Sequence, residues 1–193
     1  MSDNGTSTHA APTHGDGGAT ESRIWTLLEQ VSDPEIPVIS LLDLGVVRAV
    51  RWADPGWEVV ITPTYSGCPA MTQMADDIVS VLAAAGLSVR VCTQLAPAWS
   101  TDWISESGRC KLRDYGIAPP AMRSPGLAAH DSGGTAAQRV LRFVPRAAAS
   151  PAVPCPRCGS SHTHLSSQFG STACKAQYRC QACSEPFDYF KPY

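Results

Sequence analysis

Two pairs of cysteines carry the clearest chemistry in this chain. Cys155-Pro-Arg-Cys158-Gly159 and Cys180-Gln-Ala-Cys183 are both C-x2-C knuckles, and about 20 residues lie between them, the interval usual in four-cysteine zinc modules. A two-residue gap lets one tight turn aim both sulfurs at a single ion while nearby backbone N–H groups hydrogen-bond the thiolates. Cys155, Cys158, Cys180 and Cys183 together suit Zn2+ best, with an iron–sulfur cluster or iron as the alternative. Cys174 lies close before the second knuckle. It is open between bystander, replacement ligand or cofactor-binding group, and reactive thiol beside the metal.

A different kind of thiol stands at Cys68. The hydrophobic strand Val59-Val60-Ile61 runs into Thr62-Pro63-Thr64, then Gly67, then Cys68-Pro69, then a helix with Met71, Met74, Ala75, Ile78 and Leu82 on one face. Proline suits a first helical position, so Cys68 is expected to be the N-cap, its sulfur beside unpaired N–H groups. A cysteine so placed has a depressed pKa, and the thiolate is the form that attacks or ligates. The other reading is a small buried hydrophobe capping a core helix.

The elements that must hold these thiols follow from punctuation and periodicity. Residues 1–19 are rich in Ser, Thr, Gly and His and read as a disordered tail. Thr20 is expected to cap a helix carrying Ile24, Leu27, Leu28 and Val31, which the Asp33-Pro34-Glu35-Ile36-Pro37 segment ends. Leu41-Leu42-Asp43-Leu44-Gly45 bends into a strand from Val46 to Trp52, and Ala53-Asp54-Pro55-Gly56 turns it into a hairpin with the next. After the Cys68 helix, Gly86 is a stop, and Leu87, Val89, Val91 and Thr93 alternate as a half-buried strand with Cys92 on its polar face. A short helix ends near Tyr115-Gly116. Helix, strand, strand, helix, strand, helix makes a small α/β (α+β) domain with a mixed sheet. Residues 117–152 read as a Pro/Ala/Ser-rich linker with a candidate strand at 139–145, and 153–193 as a metal-stapled ribbon backed by Phe187, Tyr189 and Phe190.

The chain has 193 residues, 8 cysteines and a formal net charge of -2. That balance argues against a nucleic-acid protein, and no apolar run approaches membrane-spanning length. No secretory leader pattern is visible, so a cytoplasmic setting is expected, in which clustered cysteines mean metal or chemistry rather than disulfides. The exposed hairpin edge leaves a homodimer open.

Two motif sets carry a resemblance. Asp33-Pro34-Glu35-Ile36-Pro37, Asp43-Leu44-Gly45 and Thr62-x-Thr64-x-x-x-Cys68-Pro69 resemble the MIP18-like (DUF59) domain, over roughly residues 20–116. The string from Ser167 to Lys191, with Gln-Phe-Gly-Ser-Thr-Ala-Cys-Lys and Glu-Pro-Phe-Asp-Tyr-Phe-Lys at its ends, resembles the D subunits of phenylacetyl-CoA epoxidase systems. The resemblance implies an accessory or maturation subunit of aerobic phenylacetate catabolism with no activity of its own. Its partners would be the di-iron oxygenase subunits and the iron–sulfur flavin reductase, and it would help make or insert a metal centre in one of them. By the same resemblance, Asp33, Glu35, Asp43, Thr62, Thr64 and Cys68 would line the functional pocket, Cys68 as reactive thiolate or transient ligand. Two other readings compete: a thiol-redox protein pairing Cys68 with Cys92 or Cys174, and a zinc-ribbon scaffold that only docks the complex.

Overall fold

The turn at Asp54-Pro55 closes β1 (Val47–Ala53) onto β2 (Gly56–Ile61) as an antiparallel hairpin, in the register Arg51 to Glu58 and Trp52 to Trp57. The computed structural model describes residues 14–121 and 152–193. From β2 the chain crosses through helix α2 (Met71–Ala84) to β3 (Val89–Thr93), which pairs parallel to β2. The result is a three-stranded mixed sheet in the order β1-β2-β3. Helix α1 (His14–Leu28) and α2 pack together and against this sheet. Ile24 and Leu28 of α1 and Met74, Ile78 and Leu82 of α2 are buried with Val50, Val59 and Ile61, so the helical stripes read from sequence form the core.

Thr20 lies inside α1 and does not cap it, because the helix starts at His14. Once the turns around Ile24 and Leu28 are anchored in the core, upstream turns face only propagation and no new nucleation. The remainder of the expected tail, residues 1–13, and the candidate strand at 139–145 lie outside the described residues.

The opposite face of the sheet carries a charged ladder. Period-two alternation turns Glu58 away from Val59, and the hairpin and parallel registers bring Arg51, Arg90 and Cys92 to it. Arg51 Nη2 lies 2.5 Å from Glu58 Oε1, Arg90 Nη2 lies 2.9 Å from Oε2, and the Cys92 thiol donates to Oε2 at 3.0 Å. Cys92 is thus engaged in the sheet with Glu58. The Cys92 thiol and the two guanidinium groups hold the Glu58 carboxyl at about 2, below its ordinary 4.5. Because the folded value is depressed, its stabilisation is complete above about pH 4.5 and is lost as pH falls toward 2. Glu58→Gln is therefore expected to flatten the acid limb of the stability profile across that window, measured by urea unfolding. An unchanged limb would assign acid sensitivity to other carboxylates.

A 3-10 turn at Thr101–Trp103 and helix α3 (Glu106–Tyr115) close the first module. Gly45 lets α3's approach happen: its φ is +73°, and a Cβ there would meet the Trp103 carbonyl oxygen at 2.6 Å. At the far end, Gly116 ends α3 in the left-handed conformation, and the chain enters β4 (Ile117–Ala118). The expected linker thus begins as a strand. β4 pairs parallel with β7 (Pro186–Phe190), in a second sheet completed by β6 (Lys175–Cys180) and β5 (Thr163–Ser167), in the order β4-β7-β6-β5.

The two modules share a core. Alternation along β7 turns Phe187 and Tyr189 into the ribbon's own cluster, with Val153, Ala176 and Cys180. Phe190 points the other way, into the core of the first module, beside Trp99 at 5.9 Å between ring centroids. Trp99 is buried, its indole N–H donating to the Leu44 carbonyl at 3.0 Å. Tyr193 stacks on Tyr65 at 6.2 Å and meets Trp99 edge-on at 6.4 Å.

Candidate functional site

The two knuckles converge. Cys155, Cys158, Cys180 and Cys183 each offer a sulfur, and all four lie within 4.8 Å of one another. The Cys155–Cys183 and Cys158–Cys180 separations are 3.8 and 3.5 Å. A tetrahedron with arms of ~2.3 Å, the zinc–thiolate length, has edges of about 3.8 Å, so the four sulfurs fit one tetrahedral ion. Gly159, at φ +74°, makes the first knuckle's turn, where its N–H donates to the Cys155 carbonyl at 2.8 Å. The second knuckle closes through the Cys180 N–H to the Glu185 carbonyl at 3.0 Å, with Ser184 at φ 64°. Backbone N–H groups of Cys183 and Ala182 bring the Cys180 thiol down to about 6. Cys183 goes the other way, to about 12: the Glu185 N–H favours its thiolate, but burial and the three neighbouring cysteines outweigh that. Four sulfurs so close cannot all ionise without a cation between them, which is what a metal-binding group requires.

Cys68 is held differently from the sequence expectation. The N-cap of α2 is Ala70, two residues later, because Pro69-Ala70 adds a turn before the helix begins. The thiol is half-buried, and burial pushes its pKa up, not down; Glu35 and Asp33 push the same way, against hydrogen bonds from the Ala70 N–H and the Thr64 side chain. The helix-terminus effect survives only as that one N–H, and the two carboxylates and the desolvation outweigh it.

Asp33 fixes the loop that delivers Glu35. Its buried Oδ1 accepts the Glu35 and Ile36 N–H groups at 2.8 and 2.7 Å, the expected turn role. Burial raises the Asp33 carboxyl despite those bonds. Glu35 Oε2 then lies 3.9 Å from the sulfur of Cys174, a residue of the ribbon. Cys174 is buried, and the Thr172 hydroxyl sits 3.0 Å from its sulfur. Burial raises this thiol as well, with Glu35 and Asp33 adding to the rise and Thr172 and Lys175 opposing it. Cys174 is therefore not among the converged ribbon sulfurs; it faces the first module.

Thr64 is buried beside Cys68, and Thr62 is buried with an Oγ1 that has no hydrogen-bond partner among the described residues. Both line an open cavity of about 460 Å³ with Tyr65, Trp99 and Tyr193. Asp43 stands elsewhere. Its carboxylate accepts the Ser105 hydroxyl and the Lys111 ammonium, both at 2.5 Å, and its carbonyl accepts the Ser105 N–H. Burial would raise the Asp43 carboxyl, but those partners hold it below the ordinary value. Asp43 is thus the anchor of α3, since Ser105 is that helix's N-cap. Sequence reasoning missed the Tyr65–Tyr193 stack at this cavity, with the Tyr193 hydroxyl donating to the Ala173 carbonyl at 3.3 Å, because no spacing rule links a strand-end turn to a residue so far along the chain.

Two family models match separate stretches: an iron–sulfur cluster assembly protein model over residues 21–92, and a zinc beta ribbon domain of the PaaD type over residues 143–191. The chain is 48% identical over 169 residues to an Escherichia coli protein described as the D subunit of a 1,2-phenylacetyl-CoA epoxidase, covering 87% of this chain and 90% of the relative. It is 33% identical to an "Fe-S protein maturation auxiliary factor" of Porphyromonas gingivalis, over 48% of this chain and 90% of that one. Among solved structures, a DUF59 domain from Bacillus anthracis matches with 26% identity and a TM-score of 0.48, over 52% of this chain and 97% of that domain. Among the described residues no helix is long and apolar enough to cross a membrane. With both halves matched in order and most of the length aligned, the chain belongs to the family of phenylacetyl-CoA epoxidase D subunits.

Proposed function

We propose that this chain is an accessory maturation subunit that assists iron or iron–sulfur centre assembly in the oxygenase of a phenylacetyl-CoA epoxidase, or in its iron–sulfur flavin reductase, in the cytoplasm. The observation that carries this reading is the approach of Cys174 of the ribbon to Glu35, 3.9 Å away in the part that resembles an iron–sulfur assembly protein. The ribbon's ion is taken to be zinc, resident and structural: four thiolates leave no open position, and the sulfur separations suit zinc–thiolate lengths. Cys155, Cys158, Cys180 and Cys183 would hold it, and when bound it supplies folding energy and no reactive water. The contribution proposed is to the partners' metal content.

In cells lacking this chain, the purified oxygenase or reductase is expected to hold several-fold less iron, restored by the wild-type gene and not by Cys68→Ser. Normal iron in both partners would reject the reading. The raised Cys68 thiol favours a second reading, a docking subunit without thiol chemistry. There Cys68→Ser would restore the partners fully, and only disruption of the ribbon would abolish assembly.

A further inference from the structure

The three-stranded sheet has two faces, and the helices use one. Trp57, Val59 and Ile61 of β2 turn toward α1 and α2, and among the described residues no helix or further strand packs over the other face. On that open face Arg51, Glu58 and Arg90 stand side by side on the three strands, placed by the two pairing registers. The Glu58 side chain is only 5% exposed although no element lies above it, because the two arginines, 59% and 54% exposed, cover it themselves. Each grips one carboxylate oxygen with the same edge. Nε and Nη2 of Arg51 donate to Oε1 at 2.9 and 2.5 Å, and Nε and Nη2 of Arg90 donate to Oε2 at 3.1 and 2.9 Å. Nη1 of each arginine has no partner among the described residues. A guanidinium carries five N–H donors in a rigid plane, so once Glu58 holds the side edge, the end edge, Nη1 with the second N–H of Nη2, is left for another acceptor. The neighbours on this face, Ala49, Val60 and Cys92 on one side and Ala53 and Gly56 on the other, are too short to overhang the arginines.

We infer that this face is the docking site for an acidic segment of a partner protein, two of whose carboxylates each take the end edge of one arginine. Charge complementarity names the occupant: two arginines against one glutamate leave the face positive, in a chain whose formal net charge is -2. Geometry narrows it further, because a planar carboxylate accepts two parallel N–H bonds from such an edge. Glu58 is the positioning residue. An exposed arginine ordinarily loses its rotamer freedom when it binds, which cancels most of a surface ion pair, whereas here the folded sheet has already fixed both guanidinium groups. A nucleic acid or an anionic membrane calls for a larger basic excess than one surplus arginine. A second copy of this chain would bring four arginines face to face, and like charges so placed repel. The inference does not depend on the maturation role: it gives the subunit a face that holds an acidic partner, whatever is then done to that partner's metal.

The test uses the full chain with its ribbon filled with zinc. The probe is a fluorescein-labelled peptide of about six Glu-Ala repeats, read by anisotropy at low salt, with its Gln-Ala counterpart as the neutral control. The acidic peptide is expected to bind saturably and to weaken as salt rises, and the neutral one not to bind. Arg51→Lys with Arg90→Lys keeps the charge and an ion pair to Glu58 but removes both planar edges, and should weaken binding about ten-fold or more. Glu58→Gln separates held geometry from plain attraction. It makes the face more positive and releases both guanidinium groups, so binding should weaken several-fold, whereas a diffuse attraction would tighten it. Arg113→Ala and Arg179→Ala, at exposed positions on α3 and the ribbon, should change nothing. A wild-type urea midpoint and zinc content in the double lysine variant establish that its loss is not unfolding, and if that variant does unfold, Glu58→Gln still decides. No saturable binding by the wild type, unaltered binding by the lysine pair, or unaltered or tighter binding by Glu58→Gln overturns the inference. Equal affinity for a single-stranded oligonucleotide of the same length also overturns it, by making the face a general anion surface. So does self-association of the wild type that the lysine pair removes, which would assign the face to a second copy.

Discussion

Cys180→Ser is expected to abolish metal retention and to unfold the ribbon, the largest effect of any single substitution in the chain. Cys180 is buried at the start of the second knuckle, 3.5 Å from Cys158 across the site. Its thiol is brought to about 6 by two backbone N–H groups, whereas a serine hydroxyl does not ionise near neutral pH and is a poor ligand for a soft site. Structural four-ligand zinc sites supply on the order of 10–16 kcal/mol of apparent binding free energy, and in a module this small that is most of the folding free energy. The consequence travels, because Cys174, Phe190 and Tyr193 reach the first module only while the ribbon is folded. Metal analysis after dialysis against a chelator should give about one ion per chain in the wild type and almost none in the variant. Alkylation mapped by mass spectrometry should show Cys174, buried in the folded wild type, reacting faster in the variant. Full metal retention by Cys180→Ser would mean that the ion is held by other donors.

What the sequence disclosed and what it hid divide along a physical line. The knuckles were readable because a C-x2-C turn is local: its geometry is set within a few residues. The same holds for α2, whose Met74, Ile78 and Leu82 sit one turn apart, and for the hairpin, whose turn fixes the pairing. Even the Arg51–Glu58 pair follows from that register and could have been found by counting back from the Asp54-Pro55 turn. The thiol chemistry was not local. The helix terminus beside Cys68 was visible in sequence, whereas the opposing Glu35 and Asp33 arrive from more than 30 residues upstream, and burial is a property of the folded packing. Asp43, which the resemblance places in the functional pocket, has both oxygens engaged by Ser105, the N-cap of α3, and by Lys111 of that helix, contacts from more than 60 residues away. The start of the linker was misplaced for a related reason: two residues, Ile117 and Ala118, are strand only because β7 offers an edge.

Phe190→Ala tests whether the two modules are one cooperative unit. Phe190 is among the largest fully buried side chains, 1% exposed, yet it belongs by sequence to the ribbon and by packing to the core of the first module. Truncating a buried phenylalanine costs about 3–5 kcal/mol, the lost transfer free energy plus the cavity left behind. Were the ribbon merely tethered, that cost would fall on the ribbon alone, and the α1–α2–sheet core would unfold at its wild-type denaturant midpoint. Because the ring instead fills space beside Trp99, the loss is expected in a single transition, seen equally by tryptophan fluorescence and by far-ultraviolet circular dichroism, with zinc still bound. A double-mutant cycle with Trp99→Ala separates the contact from the two cavities, and an aromatic pair at this distance should couple by about 0.5–1.5 kcal/mol. Additive losses, or two resolved transitions, would show that the ribbon folds independently and that the Glu35–Cys174 approach is not enforced by the core. A single transition makes that approach a consequence of folding itself: Phe190 locks β7, the Lys191 N–H on the Cys174 carbonyl at 2.9 Å ties the loop to β7's end, and the thiol has nowhere else to point.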